Sequence, residues 1–200
     1  MRRVGAWQVP LSVAAAGVAA AAGGAAARGL LAYDRDAIAA GEAWRLVTGH
    51  LAHLGPAHLA LNLAGLGLVW LLVGERLPAY RWWLVVAFTI VFIDAAFWLL
   101  DPGLEWYVGL SGLLHGLLAA GVVCGFRTAP VESAVLALVL AGKLASEQLF
   151  GPLPGSEAAS GGAVIVDAHL YGAVGGALAG ALATYIMPAR PSQHPNGGGT

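Results

Sequence analysis

Six stretches of this chain are apolar for so long that water cannot be their only surroundings. The hydrocarbon core of a bilayer is about 30 Å thick and takes roughly 20 apolar residues as a helix. Runs of that kind lie at about Val9–Ala27, Ala57–Val73, Trp82–Leu100, Leu110–Phe126, Val131–Leu149 and Ala163–Met187. Charged residues make up 10% of the chain, far below the roughly 25% of soluble domains. The expected fold class is an all-α membrane protein. It would be a six-helix bundle over residues 1–187, followed by a disordered cytoplasmic tail at 188–200, PARPSQHPNGGGT.

The first run is mostly alanine and glycine. It follows Arg2 and Arg3 and ends in Ala25–Ala27, which also fits a cleaved signal peptide. The span reading is preferred, because removal of that run would leave an odd five. With the N-terminus inside, the inner segments carry Arg2, Arg3, Arg76, Arg81, Arg127 and Arg190. The outer segments carry Arg28, Arg35 and Arg45, all in the first loop, and the other two outer loops hold no Lys or Arg. That asymmetry puts both termini in the cytoplasm. Trp7, Trp70, Trp82, Trp83 and Trp98 fall near span ends, where an interfacial belt belongs. The long loop Arg28–Pro56 is expected to fold onto the membrane face, and Leu149–Gly162, rich in Gly, Pro and Ser, to be mobile.

Other classes drop out. Net charge is −1, so there is no basic surface for nucleic acid. Cys124 is the single cysteine, which excludes an intrachain disulfide. No nucleotide motif or repeat is present, and nothing calls for a cofactor. The expected partners are the lipid bilayer and a membrane-anchored protein substrate.

Polar side chains inside spans are costly in lipid and are functional hypotheses by default. His58 and Asn62 open the second run, Ser111 and His115 the fourth, and His169 the sixth. These three spans all run from outside to inside, so their first turns share one depth. His58 and Asn62, four apart, share a helix face. Gly172, Gly176 and Gly180 form a repeated G-x-x-x-G, and Gly112 and Gly116 another. Small residues at that spacing let helix backbones approach closely in lipid. Close approach is what a hydrogen bond from Ser111 to His169 requires.

The chemistry suggested is acyl transfer. A serine becomes a nucleophile when a base takes its proton, and an imidazole suits that role. The oxyanion needs donors set in advance; candidates are the backbone N–H of Ser111 and the side chains of His58 and Asn62. Asp167 stands two residues before His169, so it faces elsewhere on a regular helix. A Ser–His dyad is therefore expected, without a carboxylate. Lys143 and Glu147 are four apart and are expected to pair with each other, and Asp94 to be a packing group. His50 and His53 have no carboxylate or cysteine at ligand spacing, so no metal site is expected, and His194 is expected to be idle.

Four motifs together carry a family resemblance: GLSG at 109–112, H-x-x-x-N at His58–Asn62, A-H-x-x-G at Ala168–Gly172, and WR at Trp44–Arg45. In their order along the chain, on these spans, they resemble the rhomboid intramembrane serine proteases over roughly residues 42–180. The resemblance implies Ser111 as nucleophile and His169 as general base. It implies an oxyanion site from His58, Asn62 and amides near Leu110 and Ser111, framed by Gly109 and Gly112. It also implies a structured first loop. Many rhomboids carry a tyrosine where this chain has His115. GLSG-x-LHG on a small chain looks like the rhombosortase branch, which implies bacterial protein substrates with a GlyGly-type C-terminal sorting tail. The implied setting is the bacterial inner membrane, multi-pass, with the site opening toward the outer side. His115, on the serine's own helix, is expected to stack on His169 rather than replace it as base. An inactive client-binding relative and a transporter using Asp94, Lys143 and Glu147 are the other classes considered.

Overall fold

In the computed structural model the described residues are 7–186. The expectations for Arg2, Arg3, Met187, Arg190, His194 and the tail lie outside them. The order of elements is α1 (Gln8–Ala22), α2 (Gly24–Leu31), β1 (Tyr33–Asp34), α3 (Arg35–Ala39), α4 (Arg45–Thr48) and α5 (Pro56–Val73). Then come α6 (Ala79–Leu100), β2 (Trp106–Tyr107), α7 (Ser111–Gly125), α8 (Pro130–Phe150), α9 (Ser156–Ser160) and α10 (Val166–Ala181). Pro56 and Pro130 stand in the first turns of α5 and α8, where a missing N–H costs nothing. Among the described residues, three helices are long and apolar enough to cross a membrane: α5 continued to Arg76, α6 and α8.

The first run is not one straight helix. It breaks after Ala22, and α1 and α2 diverge by 116°. The cause is local: Gly24 adopts φ +60°, a conformation open to glycine and closed to most residues. Counted as one broken span, this pair is a fourth candidate. The sixth run is also corrected at its start, since its helix begins at Val166 and not at Ala163.

Helix α7 is the centre. It is only 15 residues long, about 22 Å at 1.5 Å per residue. Leu113, Leu117, Ala120 and Cys124 are buried on successive turns, and α5, α6, α8 and α10 all pack on it. A helix enclosed on every side needs no polar stripe, which is why its sequence is apolar throughout. Its most extensive partner is α10. There the glycines meet backbone to backbone: a methyl group at Gly172 would fall on the carbonyl of Gly112, and one at Gly176 on that of Gly116. Helix α8 is held far more lightly, with only Ser133, Leu140 and Glu147 buried.

The segment between α1 and α5 is folded. Arg45 is buried and donates to the carbonyls of Gly29 and Ala32, both at 2.9 Å, while its Nε meets Glu42 at 2.6 Å. The Trp44 indole donates to Leu30 O at 3.2 Å. Strands β1 and β2 pair antiparallel, Tyr33 with Tyr107 and Asp34 with Trp106. This ladder ties the folded segment to the chain leading into Ser111. The loop after α8 contains the short helix α9 between Gly155 and Gly161.

Candidate active site

Ser111 is the first residue of α7. The approach to it is set by Gly109, at φ +129°, which favours glycine. Space demands glycine as well, because a Cβ there would lie 2.8 Å from His58 Cε1 and 3.0 Å from its Nε2. Tyr107 Oη donates to Gly109 O at 2.6 Å, and Gly109 N donates to Gly49 O at 3.0 Å. Burial raises the Tyr107 phenol above its ordinary pKa, so it stays a protonated donor at neutral pH. Two clamps thus fix the chain just before the serine.

His169 stands in the first turn of α10 and is buried. Its Nε2 lies 3.0 Å from Ser111 Oγ. Its Nδ1 lies 3.0 Å from Glu147 Oε2. A carboxylate accepts, so the ring proton belongs on Nδ1 and the Nε2 lone pair faces the hydroxyl. The expectation of no carboxylate on His169 is corrected here. Asp167 lies instead toward Asp101 and Tyr171, and it is α8 that delivers the acid. Glu147 also takes the expected bond from Lys143, Nζ to Oε1 at 2.6 Å. Both carboxylate oxygens are therefore occupied, and the side chain is 3% exposed.

His115 stacks on His169, with ring centroids 4.3 Å apart and planes 20° apart. Its Nδ1 donates to the Ser111 carbonyl at 2.7 Å, which holds it away from the hydroxyl. His115, Glu147 and His169 bring one ligand atom each within 4.8 Å of one another. Nearly parallel rings, however, point their in-plane lone pairs side by side, while a tetrahedral ion needs them to converge. The observed hydrogen bonds fit the cluster better than coordination does.

Helix α5 supplies donors. His58 Nδ1 accepts from Leu54 N at 3.3 Å, which leaves its proton on Nε2, beside Gly109. Asn62 is buried and spends one amide hydrogen on His58 O at 3.1 Å. The first N–H groups of α7, from Ser111 on, have no partner within their helix. A cavity of about 190 Å³ joins these groups. His58, Asn62, Ser111, Lys143, Glu147 and His169 all line it, with Leu153, Ser156, Ser160 and Val164 from the α9 region. Gly112, Gly116, Gly172 and Gly176 sit behind it in the α7–α10 contact. The backbone of Leu110 lies at the helix start, its side chain fully buried.

Two further polar residues find partners that spacing did not suggest. His50 Nε2 lies 3.2 Å from Asp94 Oδ1, both buried, and the His50 ring stands edge-on to Tyr107. Asp94 therefore supports the folded loop beneath the serine approach.

A family model described as Rhomboid domain matches residues 40–186. A search of curated proteins finds no match. The matched span takes in Trp44–Arg45, His58–Asn62, Ser111 and His169, and covers most of the chain. On that match the chain belongs to the rhomboid family, whose members are intramembrane serine proteases.

Proposed function

We propose that this chain is an active intramembrane serine endopeptidase working through Ser111, His169 and Glu147. The observation that carries the reading is the chain of contacts Ser111 Oγ, His169 Nε2, His169 Nδ1, Glu147 Oε2, with 3.0 Å at both hydrogen bonds. In the reaction, the Ser111 hydroxyl proton passes to His169 Nε2 as Oγ attacks the substrate carbonyl carbon. Glu147 keeps the imidazole in the right tautomer and stabilises its positive charge. The oxyanion is received by the amides of Leu110 and Ser111 with Asn62 and His58. Collapse breaks the C–N bond, and His169 returns its proton to the leaving amine. Water, deprotonated by the same histidine, then attacks the acyl-enzyme; the acyl C–Oγ bond breaks and His169 returns the proton to Ser111 Oγ.

The chain would span the bilayer six times, both ends cytoplasmic, in a bacterial inner membrane, with the site opening outward. Its substrates would be transmembrane or C-terminal anchor segments, foremost GlyGly-type sorting tails. The small volume at Ser111 favours glycine or alanine at the scissile bond. Helix α8, with few buried residues, is the natural side for a substrate helix to enter.

The test uses purified protein in proteoliposomes with a single-span reporter bearing Gly-Gly before its helix, and a copy bearing Val-Val. Cleavage of the first, at least about tenfold slower for the second, together with a fluorophosphonate adduct on Ser111, is the expected result. No cleavage and no adduct would refute the reading.

Glu147→Gln should lower kcat on the order of 100-fold with KM nearly unchanged. The amide fits the same space, but its NH₂ presents a donor to Nδ1 and favours the wrong tautomer. His115→Tyr should keep activity within about tenfold, because a ring still covers His169. A dead His115→Tyr beside an active Glu147→Gln would reverse these two roles.

A further inference from the structure

A larger cavity, about 490 Å³, lies apart from the catalytic one, in the elbow where α1 turns into α2. Its volume is in the range of small-ligand sites. Val18, Ala21, Ala25 and Leu59 form apolar walls, and the rim is open to the side, with Val18 50% exposed. The polar side chains on it are Arg28 and His53, and no acidic residue lines it. Arg28 is half-buried and spends Nη1 on Leu54 O at 2.6 Å, which anchors the guanidinium at the rim. His53 is 5% exposed, and among the described residues neither ring nitrogen has a partner in good hydrogen-bond geometry, the Leu51 backbone being a polar neighbour. Buried polar atoms are rarely left so. Burial holds the His53 pKa down at about 4, so the neutral ring keeps one N–H to give.

A guanidinium and an unpaired imidazole above an apolar slot suit one kind of molecule: an anionic head on a hydrocarbon tail. We propose that this cavity binds one anionic phospholipid, its phosphate on Arg28 and His53 and its acyl chain along Val18, Ala21 and Leu59. Basic pockets between membrane helices bind such headgroups on the cytoplasmic side, and the same charge pairing is available at this outer rim. A free phosphate would leave the apolar walls unused, and a zwitterionic lipid would leave the Arg28 charge less well met. The site adjoins the catalytic one, since the His53 ring stands edge-on to His58 at 5.1 Å and His58 lines the Ser111 cavity.

The test is native mass spectrometry of the full chain, exchanged from mixed micelles containing phosphatidylglycerol or phosphatidylcholine. Binding is read without any cleavage assay, so the result is independent of the proposed activity. One retained phosphatidylglycerol is expected, with phosphatidylcholine retained several-fold less. Arg28→Gln keeps a donor for Leu54 O and removes the charge, and should cut retention about fivefold. Ala25→Phe fills the slot with Arg28 intact and should abolish retention. If Arg28→Gln lowers the melting temperature markedly, Ala25→Phe decides. Equal retention of the two lipids, or unchanged retention in a folded Ala25→Phe, would overturn the proposal. So would displacement of the lipid by millimolar inorganic phosphate, which would mark a site for the free anion.

Discussion

Ser111→Ala is expected to remove cleavage of the single-span reporter, with kcat/KM falling at least on the order of 10⁴-fold, while the protein inserts and melts as before. Three other serines could be suspected of substituting. Ser156 and Ser160 line the same cavity, but their hydroxyls donate to backbone carbonyls, Ser156 to Leu153 O at 2.7 Å and Ser160 to Gly162 O at 2.9 Å. Ser146 follows Ala145 on α8 and has no imidazole on it among the described residues. Ser111 alone among the described serines has a histidine nitrogen within hydrogen-bond distance. Losing its hydroxyl leaves His169 Nε2 without that partner, at a cost of about 1 kcal/mol that cavity water can offset. Stability should therefore hold. Residual cleavage above 1% of wild type by purified Ser111→Ala would sink the assignment.

Gly172→Ala is expected to cost the enzyme both rate and stability through a single methyl group. The added carbon would fall on the Gly112 carbonyl, backbone against backbone, where no side chain can swing away. Helices α7 and α10 must separate, and His169 rides on α10 less than one turn earlier. A displacement of about 1 Å costs on the order of 100-fold in rate. Overpacking adds about 1–3 kcal/mol of lost stability. Two comparisons separate these effects. At Gly180 the added carbon meets Ala120 O at 2.7 Å, two turns deeper, so Gly180→Ala should lose stability with a smaller loss of rate. At Gly142 the space is open, so Gly142→Ala should be neutral or slightly stabilising, as alanine is the better helix former. Rates measured in detergent beside melting temperatures decide it. Equal rate losses at Gly172 and Gly180 would show that close approach at the first turn is not what the glycine secures.

The contrast between His169 and Glu147 shows what could be read in advance. Ser111 and His169 announce themselves because each sits in the first turn of an apolar run, where a polar group is too costly to be idle. The glycines announce themselves by a four-residue period, which puts small surfaces on one helix face. Both signals are local, set by the cost of polarity in lipid and by the pitch of the helix.

Glu147 gave no such signal beyond its i,i+4 neighbour Lys143, and that pairing was a sufficient account of it in sequence. Its second oxygen meets His169 only because α8 packs its last turns beside α10. The same holds for Asp94 and His50, which lie 44 residues apart, and for the elbow at Gly23–Gly24. Hydropathy counts apolar residues and is blind to a backbone that turns by 116° between them. The sequence by itself determined which groups lipid could not leave unpartnered. The tertiary structure decided which partner each one found, because a hydrogen bond between helices depends on rotation and depth, and neither is written in any one helix.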